Sequence, residues 1–75
     1  MNTDRRYLGT VKTFNMYGGT GTIALPDGRE VVVRYSAIRG TGVRTLREGA
    51  LVSFLLERTR RGLCAVCVQE EPVEN

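Results

Sequence analysis

Lys12-Thr13-Phe14-Asn15-Met16-Tyr17-Gly18-Gly19-Thr20-Gly21-Thr22-Ile23 reads as two strand-like runs meeting across a glycine-rich turn. Val11 and Phe14 close the first run, and Thr20, Thr22 and Ile23 open the second. Between them, Gly18 and Gly19 supply backbone freedom at positive φ. The remaining chain reads as a small sheet built onto this hairpin. What the hairpin's outward face can hold is the functional question.

Upstream, Tyr7 to Asn15 is rich in β-formers and makes a first strand with Val11 inward, after a polar segment, residues 1–6, expected to fray. Downstream, Thr20 to Leu25 is the second strand, and Pro26-Asp27-Gly28 is a turn in which proline presets φ and glycine accepts the strained position. Val31 to Arg34 is the third strand, with Val31 and Val33 on one face and Val32 and Arg34 on the other. Tyr35 to Ile38 has room for a single helical turn. Arg39 to Gly49 is the longest loop, with Leu46 tucked inward. Leu51 to Leu56 is a fourth strand whose parity puts Val52, Phe54 and Leu56 inside, leaving Leu51 and Leu55 outside. A basic turn, Thr59 to Gly62, leads to a fifth strand, Leu63 to Val68, and residues 70–75 form an acidic, flexible tail. Five short strands without a helix or a repeat predict an all-β fold, a small closed or nearly closed barrel over residues 7–69. An open sheet of that size would leave unpaired edges.

Composition removes several function classes. Seventy-five residues make one small domain with a limited core. No run of about 18 apolar residues is present to cross a membrane, and the first residues do not resemble a signal peptide, so the expected compartment is the cytoplasm. Histidine, the commonest general base and metal ligand, does not occur. The two serines, Ser36 and Ser53, have no partner base in the sequence pattern. The chain is not expected to be an enzyme or to need a cofactor. Cys64 and Cys67 have a redox-like spacing but fall inside a strand. There, positions i and i+3 point to opposite faces roughly 10 Å apart, which allows neither a bridge nor a shared metal.

Charge is more informative. Ten of the eleven positive side chains are arginine, and Lys12 is the exception. Residues 1–68 carry those eleven against five acids, a net of +6, while Glu70, Glu71 and Glu74 give the last seven residues a net of −3. A body with that excess suits a polyanionic partner.

Three groups of residues then carry a resemblance. They are Gly9-x-Val11-Lys12-x-Phe14-Asn15, Gly19-x-Gly21-x-Ile23 and Val31-x-Val33-x-Tyr35-Ser36-Ala37-Ile38. Thr45-Leu46-x-Glu48-Gly49, Val52-Ser53-Phe54 and Arg61-Gly62 follow in order. Over Gly9 to Val68 the chain resembles a bacterial cold-shock domain, and the resemblance implies a five-stranded antiparallel OB-fold barrel that binds single-stranded RNA and DNA. That family stacks bases on aromatic rings displayed by the first three strands and the long loop. At the corresponding positions this chain has Thr13, Thr20, Thr22, Val32 and Val43, and Arg34 stands where the family has histidine. Phe14 and Tyr35 remain as rings, Lys12 and Arg61 match family contacts, and Glu30 stands where the family usually has Asp. Base–aromatic stacking contributes about 1–3 kcal/mol per base. Losing several rings removes on the order of 5 kcal/mol, enough to turn submicromolar binding into millimolar.

Two functions follow as expectations. The first is weak, charge-driven, salt-sensitive binding of single-stranded nucleic acid. In it Arg34 stacks on bases, Arg39, Arg44, Arg58, Arg60 and Arg61 form an electrostatic track, Lys12, Phe14 and Tyr35 keep their places, and Tyr17 restores one ring. The second makes the barrel a protein-interaction or homodimerisation module through a β-branched, semi-apolar face of Thr13, Thr20, Thr22, Val32 and Val43, with Leu55 projecting outward.

Overall fold

The computed structural model describes residues 6–39 and 45–71. Five strands occur in these residues: β1 Tyr7–Asn15, β2 Thr20–Ala24, β3 Glu30–Arg34, β4 Leu51–Thr59 and β5 Gly62–Glu70. A single 3₁₀ turn, Tyr35–Ala37, follows β3. The strands close into a barrel in the order β1-β2-β3-β5-β4. Among the described residues no helix is long and apolar enough to cross a membrane.

The barrel interior is filled by one cluster of aliphatic side chains around Phe54. Val11, Ile23, Val31, Val33, Val52 and Val68 are essentially removed from solvent, and Leu46 seals the loop side as its sequence context predicts. β3 alternates cleanly, with Val31 and Val33 inside and Val32 and Arg34 outside.

The pairing is not antiparallel throughout. β3 and β5 run parallel, through Val32 opposite Cys64 and Val33 opposite Ala65. These strands are not joined by a hairpin. Their relative direction is set by barrel closure, with β4 lying between them in the chain, and local sequence does not encode it.

Two irregularities reset the alternation of side chains. β1 slips against β2 between Val11 and Thr13. Lys12 and Thr13 therefore both face outward, and Phe14 turns back to pack against the core. β5 slips against β4 opposite Phe54, where Cys67 adopts φ 52°. Ala65 and Val68 are both buried as a result, while Cys64 and Cys67 both stay out of the core. The opposite-face argument for this cysteine pair fails at the bulge. The thiols are free, and their spacing along the strand still keeps them roughly 10 Å apart.

Turn chemistry follows the sequence with one refinement. Only Gly19 of the Gly18-Gly19 pair takes positive φ, 72°. Asn15 holds this turn through its side-chain oxygen, which accepts from the N–H groups of Tyr17 and Gly18 at 2.9 and 3.2 Å. Gly28 takes φ 96° in the β2–β3 turn, where the Asp27 carboxylate accepts the Arg29 N–H.

The domain ends reach further than expected. Arg6 is anchored by its guanidinium to Ser53 and Cys67, β5 continues through Glu70, and the Glu71 N–H donates to the Leu51 carbonyl. The rest of the N-terminal segment and of the acidic tail, with Val43 and Arg44 of the loop, lies outside the described residues.

Candidate nucleic-acid interface

Strand pairing lines up one row of outward side chains around the barrel. Thr13 faces Thr22, Thr22 faces Val32, Val32 faces Cys64, and Cys64 faces Glu57. At the usual interstrand spacing this row is roughly 19 Å long. A second row, one pleat along, runs from Asn15 through Thr20 to Arg34. Two concavities lie on these rows and share Thr20 and Val32.

The first covers the β1–β2 hairpin and is lined by Thr13, Phe14, Tyr17, Thr22 and Glu48, among others. None of its described lining residues is a cation. Thr13 and Thr22 hydrogen-bond to each other across the strands at 3.0 Å, so their hydroxyls are partly spent on one another. Phe14 is half-buried against the core beside Gly21, where a side chain would overlap the Thr13 carbonyl and the Phe14 ring. Only part of the Phe14 ring is therefore offered to a ligand. Tyr17, by contrast, stands fully exposed at the hairpin tip. Tyr35 is half-buried behind the turn, its N–H donating to the Gly19 carbonyl at 2.8 Å.

The second concavity, about 650 Å³, crosses the β3–β5 seam. Arg34, Arg60, Arg61, Ser36 and Glu57 line it together with an apolar part made by Val32, Ala37, Ala65 and Val66. Arg60 and Arg61 arrive there because β4 and β5 join in a two-residue hairpin. The Thr59 hydroxyl ties that hairpin by accepting the Arg61 N–H at 3.1 Å and donating to the Gly62 carbonyl at 2.9 Å. Gly62, at φ 115°, completes the turn.

Three of the described cations are ion-paired with described residues. Lys12 is paired with Glu30, Arg29 with Asp27 at 2.8 Å, and Arg47 with Glu70 at 3.1 Å. Arg34, Arg60 and Arg61 form no ion pair with any described residue. Exposed pairs such as Lys12–Glu30 contribute little to stability, yet a bound carboxylate lowers what the ammonium can offer a phosphate. Arg39 and Arg58 likewise form no ion pair with a described residue but line neither concavity, so the unpaired cations that meet in one groove are Arg34, Arg60 and Arg61, at the β3–β5 seam.

The remaining predicted residues are scattered. Arg58 pairs with Leu63 on β5, and alternation puts it on the opposite face of the ribbon from Glu57. Arg39 is exposed beyond the 3₁₀ turn, its N–H donating to the Val68 carbonyl, and does not line the groove. Leu55 is half-buried opposite Val66 on β4 and lines neither concavity. Of the expected apolar face, Val32 alone is a large exposed hydrophobic among the described residues. Sequence reading passed over Glu48, Ser36, Cys64 and Glu57. The Glu48 segment matches a family motif, but Glu57 and Cys64 join the site only through the parallel seam, for which no local signal exists.

The model of the 'cold-shock' DNA-binding domain matches residues 7–71. Major cold shock protein CspA of Pseudomonas aeruginosa is 42% identical over 64 residues, spanning 85% of this chain and 93% of that protein. Cold shock protein CspC of Bacillus subtilis is 45% identical over 62 residues, spanning 83% of this chain and 94% of that protein. A solved structure, drosophila Unr CSD456, superposes with a TM-score of 0.74 at 17% identity over 91% of this chain, which is similarity of fold. This chain spans 27% of the length of that structure.

Proposed function

The chain belongs to the 'cold-shock' DNA-binding domain family, and from that premise we propose that it binds single-stranded nucleic acid weakly and mainly by charge. Cold-shock-domain proteins are nucleic-acid binders, not enzymes. One observation supports the charge-driven form in particular: Arg34, Arg60 and Arg61, none of them ion-paired with a described residue, converge on one groove beside a hairpin platform of threonines.

In this reading the groove at the β3–β5 seam is the principal contact, and the hairpin face is secondary. Arg60 and Arg61 hold phosphate oxygens. Arg34, opposite Thr20, which both concavities share, lays its guanidinium plane against a base, which a lysine would not do. Val32 offers apolar contact to one base face, and Tyr17 catches a neighbouring base at the hairpin tip. Two phosphate contacts give little affinity, and that little falls with salt at a log–log slope of about −1.4 on a single strand.

The test is a titration of a fluorescein-labelled single-stranded heptathymidine at rising sodium chloride. Binding at low salt that is lost by about 200 mM is the expected result. No binding at low salt, or tight binding that survives concentrated salt, overturns the proposal.

A further inference from the structure

The β3–β5 groove carries a residue that pure phosphate binding does not explain. Glu57 lines the same concavity as Arg34, Arg60 and Arg61, yet it forms no ion pair with any described cation. Its place follows from register: Glu57 faces Cys64, and Cys64 faces Val32. A carboxylate thus ends the outward row beside the apolar floor of Val32, Ala65 and Val66. Against a phosphate chain alone, that carboxylate would only repel.

We propose that this groove is a base-selective nucleotide subsite in which Glu57 reads a guanine. The inference rests on the charge-driven nucleic-acid reading above and adds to it a base preference. The chemistry is specific. The Watson–Crick edge of guanine presents two adjacent donors, N1–H and N2–H, whose spacing matches the two oxygens of one carboxylate. Cytosine and adenine each present one amino group there. Thymine and uracil present a single N–H flanked by two carbonyl oxygens, which a carboxylate repels. A carboxylate therefore ranks the bases with guanine first and thymine last.

The remaining groups complete the subsite. A base lying on Val32 and Val66 is covered on its other face by the Arg34 guanidinium, and the attached phosphate reaches Arg60 and Arg61 on the hairpin. The volume of about 650 Å³ is that of a site for one nucleotide, not for a long stretch of strand. The same subsite accepts a nucleotide free in solution or within a strand, because base edge and phosphate are the shared chemistry.

The experiment compares heptathymidine with the same strand carrying one central deoxyguanosine, deoxyinosine or deoxycytidine, in low salt, together with guanosine 5′-monophosphate as the free nucleotide. The deoxyguanosine strand is expected to bind about fivefold more tightly than heptathymidine, the low end of discrimination for a paired donor–acceptor contact. Deoxyinosine, which lacks only the N2 amino group, should fall between them. E57Q should collapse the guanine-to-thymine affinity ratio towards one, with far-UV circular dichroism confirming the fold. Competition by guanosine 5′-monophosphate at millimolar concentration shows that the free nucleotide is accepted, and its failure to compete overturns that part of the proposal. Equal binding of all four strands, or a ratio unchanged in E57Q, overturns the guanine subsite while leaving charge-driven binding standing. Failure of every strand to bind removes both.

Discussion

Arg6 donates from Nη2 to the carbonyl oxygen of Cys67 at 2.7 Å, and Cys67 is the one non-glycine residue at positive φ among the described residues. The same nitrogen reaches the Ser53 carbonyl at 2.8 Å, and Nε reaches the Ser53 hydroxyl at 3.2 Å. Ser53 in turn donates to the Glu71 carboxylate. One guanidinium thus ties the entry to β1 to the β5 bulge and, through Ser53, to the end of β5. The bonds to Ser53 are part-buried and the one to Cys67 is exposed, and hydrogen bonds to charged groups contribute about 1.5–3 kcal/mol. Arg6→Ala is expected to lower the unfolding free energy by about 2 kcal/mol, read from the urea midpoint at unchanged slope.

Cys67 itself supplies a pair of opposite predictions. A side chain in the left-handed region costs about 1–2 kcal/mol, whereas glycine there loses about 0.5–1 kcal/mol through unfolded-chain entropy. Cys67→Gly should therefore stabilise slightly, and Cys67→Val, β-branched and less tolerant of φ 52°, should destabilise. If both changes move the thermal midpoint the same way, the bulge is not where the strain lies.

Gly21 is required by close approach. An added Cβ would overlap the Thr13 carbonyl oxygen and sit 2.8 Å from Phe14 Cα, both backbone atoms that cannot swing aside. Gly21→Ala is expected to cost about 2–3 kcal/mol, as overpacking does, and to shift the methyl resonances of Ile23 and Val33.

The division of cations makes a binding prediction. For single strands the salt slope falls by about 0.7 for each phosphate contact removed. Arg61→Ala and Arg60→Ala should each flatten the slope by about that amount, whereas Lys12→Ala, already paired with Glu30, should change it by less. Conversely, Thr22→Phe beside Val32 restores a ring to the platform and should tighten binding by about 1–3 kcal/mol. A Thr22→Phe protein that binds no better would mean that the hairpin face is not used.

Asp27 gives the acid-side behaviour. The Arg29 N–H above all holds its carboxyl below the usual carboxylate range; desolvation opposes it, and the Arg29 guanidinium at 2.8 Å adds to the lowering. A folded-state pKa below the unfolded one means a contribution present above the unfolded value of about 3.9 and lost as pH falls through the folded value. Asp27→Ala should therefore reduce the fall in thermal midpoint below pH 4 and leave the shape of the profile above pH 6 alone.

Much of this protein is legible in one dimension. Glycine, proline and aspartate fixed the turns, and period-two alternation fixed the faces of β3, because both are local properties of a few adjacent residues. The basic excess and the loss of rings at Thr13, Thr20, Thr22 and Val32 are likewise matters of residue type alone. Three features were settled only in space. The bulges at Lys12 and Cys67 shift side-chain parity, and nothing in the adjoining residues marks where one strand carries an extra residue. The parallel seam of β3 and β5 follows from closing the barrel, and it alone brings Glu57, Cys64, Arg60 and Arg61 beside Arg34 from chain positions more than twenty residues away. Which charges remain available was decided there too, since ion pairs such as Lys12–Glu30 form between strands whose proximity depends on the register of the closed sheet.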